Sequence, residues 1–146
     1  MNTHRALVVC AALICLVPAR ADEPAAPAPR EPGPDEAVVF EDVTFGGASL
    51  LLKVGDELPN LTKTPEGNWD QRISSLKVGA DAIVVLYSWF DFGNVCLGLP
   101  GTGTGGSGRF ADLSRIKPKN LRFHLGDRAR SLRVVAKGAD ISKLCR

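Results

Sequence analysis

Histidine, tryptophan, tyrosine and methionine are scarce in this chain: two, two, one and one among 146 residues. One histidine, His4, sits in the apolar leader, which leaves His124 for the body of the protein. A Ser-His-Asp triad would have to be built on His124, and no nucleophile motif accompanies it. A structural histidine within Phe123-His124-Leu125 is the expectation. No pair of carboxylates stands out for glycoside hydrolysis. Two body cysteines and one histidine lack the ligand spacing of a zinc cage. No segment after the leader sustains a helical period. The glycine-rich run Pro100–Gly108 (PGTGTGGSG) lacks both the Gly-Lys-Ser/Thr ending of a phosphate loop and an adjoining helix. It reads as a flexible hairpin tip.

What is present begins with an export signal. Arg5 precedes the apolar run Ala6–Val17, which is too short for a stable bilayer span. Ala19-Arg20-Ala21 offers small residues at both recognition positions, so cleavage is expected after Ala21, giving a signal peptide over 1–21. Cys15 does not fit a lipoprotein signal, because Ile14 stands where a small residue is wanted. Cys10 and Cys15 leave with the signal. Cys96 and Cys145 remain, and an even pair in an exported protein predicts a disulfide worth roughly 3–4 kcal/mol.

Losing Arg5 and Arg20 from the 18 basic residues leaves as many bases as the 16 acids. Residues 22–36 (DEPAAPAPREPGPDE) hold five acids and one base among prolines and alanines. Few side chains there can be buried, so the tract reads as an extended linker. The folded domain is then expected over 37–146, with a tail over 137–146. Eight bases crowd residues 115–137 against Asp127 alone: Arg115, Lys117, Lys119, Arg122, Arg128, Arg130, Arg133 and Lys137. Such a face can attract an anionic surface, and export disfavours nucleic acid as its partner. A solvated face is the plainer reading.

From Ala37 onward the chain breaks into short apolar, β-branched runs: 37–40, 49–54, 74–78, 82–89, 95–99 and 131–135. Gly, Pro, Asn and Asp clusters separate them, which points to a β-sandwich or barrel. Asp112–Ile116 could form a single helical turn. An internal repeat organises the strands, with units at about 37–80 and 82–136 and an offset of roughly 47 to 56 residues. Phe40-x4-Phe45-Gly46-Gly47 opens the first unit and Tyr87-x4-Phe92-Gly93-Asn94 the second. Ser74-Ser75-Leu76-Lys77-Val78 closes the first, and Arg130-Ser131-Leu132-Arg133-Val134 closes the second.

Two aromatics five apart, then glycine two residues on, then a distant serine, resemble the Greek-key signature of βγ-crystallin domains. Phe40, Phe45, Gly47 and Ser75 fit it fully. Tyr87, Phe92 and Ser131 fit, with Asn94 in place of glycine; asparagine tolerates positive φ. The resemblance implies an all-β, βγ-crystallin-type Greek-key β-sandwich of two four-stranded motifs. It also implies calcium sites drawn from Asn/Asp-Asn/Asp-x-x-Ser/Thr-Ser stretches, each completed by a hydroxyl from the other unit. The first stretch, Asp70-Gln71-Arg72-Ile73-Ser74-Ser75, would face Arg130, a fixed positive charge where oxygen is required. That site is expected to be dead, with the Arg130 guanidinium near Asp70 partly replacing the ion. The second, Gly126-Asp127-Arg128-Ala129-Arg130-Ser131, loses its first acid but could hold calcium weakly through Asp127 and Ser74. The expected function is an exported, non-enzymatic structural or binding module, periplasmic or secreted, acting on an envelope or extracellular partner. A protease inhibitor using the Pro100–Gly108 insert, and a cationic membrane-active protein, are the alternatives.

Overall fold

The computed structural model describes residues 30–117 and 123–145. The expected signal peptide, residues 22–29 of the linker, and Lys119 and Arg122 of the basic segment lie outside the described residues.

Among the described residues, eight strands build two four-stranded antiparallel sheets. The first unit supplies β1 (Glu36–Phe40), β2 (Ser49–Lys53), β3 (Glu57–Leu58) and β4 (Ser75–Val78). The second supplies β5 (Ala82–Tyr87), β6 (Cys96–Pro100), β7 (Arg109–Phe110) and β8 (Ser131–Ala136). One sheet runs β2-β1-β4-β7 and the other β3-β8-β5-β6. Each unit therefore lends one two-residue strand to the other's sheet: β3 pairs with β8, and β7 pairs with β4. The registers match across the repeat, with Phe40 opposite Ser75 and Tyr87 opposite Ser131.

Alternation sorts the side chains. Ala37 and Val39 of β1 and Ala82, Val84 and Leu86 of β5 join the core between the sheets, with Leu50, Leu76, Leu99, Leu132 and Val134. Trp69, Ile73, Leu113, Leu125 and Ala129 close its ends from the loops. The opposite face of β5 buries Ile83, Val85 and Tyr87 beneath Phe92, Val135, Ile141 and Leu144. The cover there is the C-terminal tail, whose one helical turn, α1 (Ile141–Leu144), is capped by Asp140 accepting from Ser142 N. Cys145 is bonded to Cys96 of β6, with Cα atoms 5.5 Å apart. The Tyr87 hydroxyl donates to the Leu144 carbonyl at 3.2 Å. Burial pushes the Tyr87 phenol's pKa up, so it stays a donor.

Two details go beyond the sequence reading. Strand β1 starts at Glu36, and Pro34 and Asp35 of the proline-rich tract are hydrogen-bonded beside the strands. Asp81 N donates to the Pro34 carbonyl at 2.7 Å, and Val54 N to the Asp35 carbonyl at 2.8 Å. Proline-rich composition hides this, because the contacts use carbonyls, which proline and its neighbours retain. The Pro100–Gly108 insert is also no free hairpin tip. It folds back through a 3-10 turn at Thr102–Thr104 onto the loop between the units. A Cβ on Gly101 would lie 1.7 Å from the Gly79 carbonyl oxygen, and one on Gly103 2.2 Å from that of Ala80. Glycine here permits close backbone approach rather than motion. The helical turn expected near Asp112 is present as a 3-10 turn at Leu113–Arg115.

Candidate functional site

The two aromatic turns come first, because they position everything nearby. Phe40 and Phe45 meet edge to face, ring centres 5.7 Å apart; Tyr87 and Phe92 do the same at 5.5 Å. Between each pair the chain enters left-handed backbone, at Thr44 and Phe45 (φ 55° and 64°) and at Asp91 and Phe92 (φ 52° and 59°). Gly47 (φ 72°) and Asn94 (φ 63°) complete the turns. Asparagine thus takes the conformation that glycine takes in the first unit. A buried serine holds each turn. Ser75 Oγ accepts from Phe45 N at 3.0 Å and donates to the Asp42 carbonyl at 2.6 Å. Ser131 Oγ accepts from Phe92 N at 3.1 Å and donates to the Trp89 carbonyl at 2.6 Å.

The serine-ending loops are joined by a pair of equivalent bonds. Gln71 N donates to the Ala129 carbonyl at 2.9 Å, and Asp127 N donates to the Ile73 carbonyl at 3.0 Å. Gln71 and Asp127 both have left-handed backbone, φ 57° and 53°. Their side chains therefore occupy equivalent places with different neighbours. Ser74 Oγ donates to Asp127 Oδ1 at 2.6 Å, bringing one carboxylate and one hydroxyl together across the units. At the related place Gln71 stands opposite Arg130, whose guanidinium lies over the rings of Trp89 and Phe90 at 4.9 and 5.1 Å. Arg130 forms no ion pair with Asp70 among the described residues. A guanidinium, weakly hydrated and planar, stacks well on indole, and Trp89, 54% exposed, supplies the surface. Asp70 Oδ2 instead accepts from Gln71 Nε2 at 3.2 Å, while its Oδ1 is buried with no protein partner.

Calcium takes six to eight oxygen ligands. The Asp127–Ser74 place brings two side-chain oxygens together. At the related place Arg130 stands where the other unit has the Ser74 hydroxyl, and its guanidinium is stacked on Trp89 and Phe90. Gly126, where the sequence pattern wants an acid, has no room for one: a Cβ would sit 2.8 Å from Ser114 N. That crowding is invisible in the sequence.

The remaining sequence candidates are structurally engaged. His124 Nδ1 lies 3.2 Å from the Gly126 carbonyl oxygen, half-buried. Arg115 pairs with Asp112 at 2.9 Å, Arg133 with Glu57 at 3.1 Å, and Lys137 with Asp81. Arg128 lies over Phe123 at 5.8 Å. The described part of the basic segment is thus largely divided among local partners. Sequence reasoning missed a further cation, Lys77, which is buried and paired with Glu31 at 2.7 Å. The signal was a lysine in the middle of the apolar closing strand.

No protein-family description matches the sequence, and no curated protein does. Solved structures do match. One, reported under the evolution of the eye-lens βγ-crystallin domain fold, is 20% identical with a TM-score of 0.57, covering 73% of this chain and 91% of its own. A βγ-crystallin domain from Flavobacterium johnsoniae is 23% identical with a TM-score of 0.52, covering 71% and 98%. The βγ-crystallin domain of abundant perithecial protein from Neurospora crassa, in its Ca2+-bound form, is 16% identical with a TM-score of 0.54, covering 76% and 99%. The chain therefore has the βγ-crystallin fold.

Proposed function

We propose that this domain is an exported, non-enzymatic binding module that keeps one weak calcium site, at Asp127 and Ser74, and has lost the other to Arg130. The observation that carries the reading is the 2.6 Å contact between Ser74 Oγ and Asp127 Oδ1 across the two units. A hydroxyl and a carboxylate joined there are two ligands already in place, and an ion would tie the units together. The Ca2+-bound neighbour of the same fold supports calcium as the cation. The unequal pair of loops supports a single site. Export is supported by the leader and by the Cys96–Cys145 bond, since disulfides persist in oxidising compartments.

Calorimetric titration of the chain with calcium tests this. We expect one site with a dissociation constant on the order of 0.1–1 mM, the range of weak extracellular modules. Asp127→Asn should abolish the heat and Gln71→Ala should leave it unchanged. Absence of heat at millimolar calcium, or binding that survives Asp127→Asn, would refute the reading. An inhibitor reading loses support from the insert, which packs on Gly79 and Ala80 rather than projecting.

A further inference from the structure

The repeat places a cation on the second aromatic of each unit, and the two cations are neutralised differently. In the second unit the Arg133 guanidinium lies 3.6 Å from the Phe92 ring centre. Its Nε meets Glu57 Oε1 at 3.1 Å, and Glu57 is its cross-strand neighbour on the exchanged strand β3. In the first unit Lys77 stands in the place of Arg133, its Nζ 4.9 Å from the Phe45 ring centre. Its cross-strand neighbour on the exchanged strand β7 is Arg109. Where the second unit sets an acid against a base, the first sets two bases together. Like charges directly opposite destabilise a sheet.

The Lys77 side chain is only 3% exposed. A buried ammonium with no counter-charge is costly, so the repeat by itself leaves this place one anion short. The anion comes from outside the repeat. Glu31 Oε1 lies 2.7 Å from Lys77 Nζ, and both Glu31 oxygens lie 2.8 Å from Arg109 Nη2. Glu31 and Arg109 remain open to solvent, 60% and 56% exposed. Beside them a cleft of about 190 Å³ is lined by Pro32, Gly79, Thr102 and Ser107.

We propose that Lys77, Arg109 and the Phe45 ring form a carboxylate-binding site on the outer face of the β2-β1-β4-β7 sheet, with Glu31 as its built-in occupant and an external carboxylate as its ligand when Glu31 is withdrawn. Lys77 supplies a desolvated point charge, and Arg109 supplies donors at the open rim. The ligand is a small organic acid or the acidic side chain of a partner. The site uses none of the residues of the Asp127–Ser74 contact, so it stands or falls separately from the calcium reading.

Chemical rescue of the full chain tests the proposal. Thermal melting of Glu31→Ala is followed in sodium acetate against sodium chloride at matched ionic strength and neutral pH. Acetate should raise the melting temperature of Glu31→Ala saturably and leave the unsubstituted protein unmoved. Adding Arg109→Ala should weaken the apparent acetate affinity by about tenfold, the factor that one lost charge-assisted bond supplies. The α-amide of N-acetylglutamate, run alongside, separates the two sources: tighter rescue than acetate assigns an acidic side chain, and equal rescue assigns a free acid. Identical melting in acetate and chloride, or rescue undiminished by Arg109→Ala, would overturn the proposal. Should Glu31→Ala fail to fold, Glu31→Ser empties the carboxylate position while keeping a polar residue there. Its amide shifts at Lys77 and Gly108 must then move with acetate, and unmoved shifts would overturn the proposal equally.

Discussion

Replacing Ser75 with alanine removes one hydroxyl and strands two backbone groups. Phe45 N loses its acceptor and the Asp42 carbonyl loses its donor. Ser75 is fully buried and both of its bonds are partly so, so water reaches the two groups only in part. Each unsatisfied buried group costs about 1–3 kcal/mol, and partial relaxation of the turn reduces the total, giving about 2–4 kcal/mol. The loss also falls on a turn whose Thr44 and Phe45 hold left-handed backbone, a conformation that other contacts must maintain. Ser74→Ala is the control. It removes one bond to an exposed carboxylate and should cost less than about 1 kcal/mol without calcium. Urea unfolding of both variants with the disulfide intact measures the difference, provided m is unchanged. If Ser75→Ala costs no more than Ser74→Ala, the serine does not hold the turn, and the symmetry of the two units is only a likeness of shape.

The Cys96–Cys145 bond closes a loop of 49 residues, so reducing it should cost about 4 kcal/mol in the chain-entropy model, read as a fall in the urea midpoint with dithiothreitol. Asn94→Ala places an ordinary side chain at φ 63° and should destabilise by about 1 kcal/mol, whereas Asn94→Gly should be close to neutral by the same denaturation assay. The Lys77 hydrogen bond, ahead of that from Arg109, holds the Glu31 carboxyl below its ordinary pKa. A depressed carboxyl stabilises the fold fully above its unfolded pKa, about 4.3, and loses that contribution as pH falls through the folded value. The stability gap between the unsubstituted protein and Glu31→Gln should therefore be constant near neutrality and close in acid; a gap that widens in acid would contradict the ion pairs.

The six longer strands were legible because each carries enough alternating or β-branched residues to show its period. Glu57–Leu58 and Arg109–Phe110 were not, since two residues display no period, yet these are the strands the units exchange. The aromatic turns and their serines could be read because the constraint is local: a left-handed turn selects glycine or asparagine. The insert was misread because composition reports that glycine is present and not why. At Gly101 the reason is a carbonyl that would touch a Cβ, and the partner residue, Gly79, is far away in sequence. Arg130 was legible as a cation where the serine-ending stretch of the first unit has a hydroxyl, but its resting place over Trp89 and Phe90 depends on rings that only the fold brings near. Glu31 was unreadable in a tract of proline and alanine, because its meaning lies in two cations on other strands.

The exchange of β3 and β7 means that neither half of this chain owns a complete sheet. A fragment ending between the repeats would carry an orphan edge and an uncovered apolar layer, with the missing neighbour left on the other piece. The halves are alike in sequence and turn geometry, but the barter of one short strand each ties them to one another.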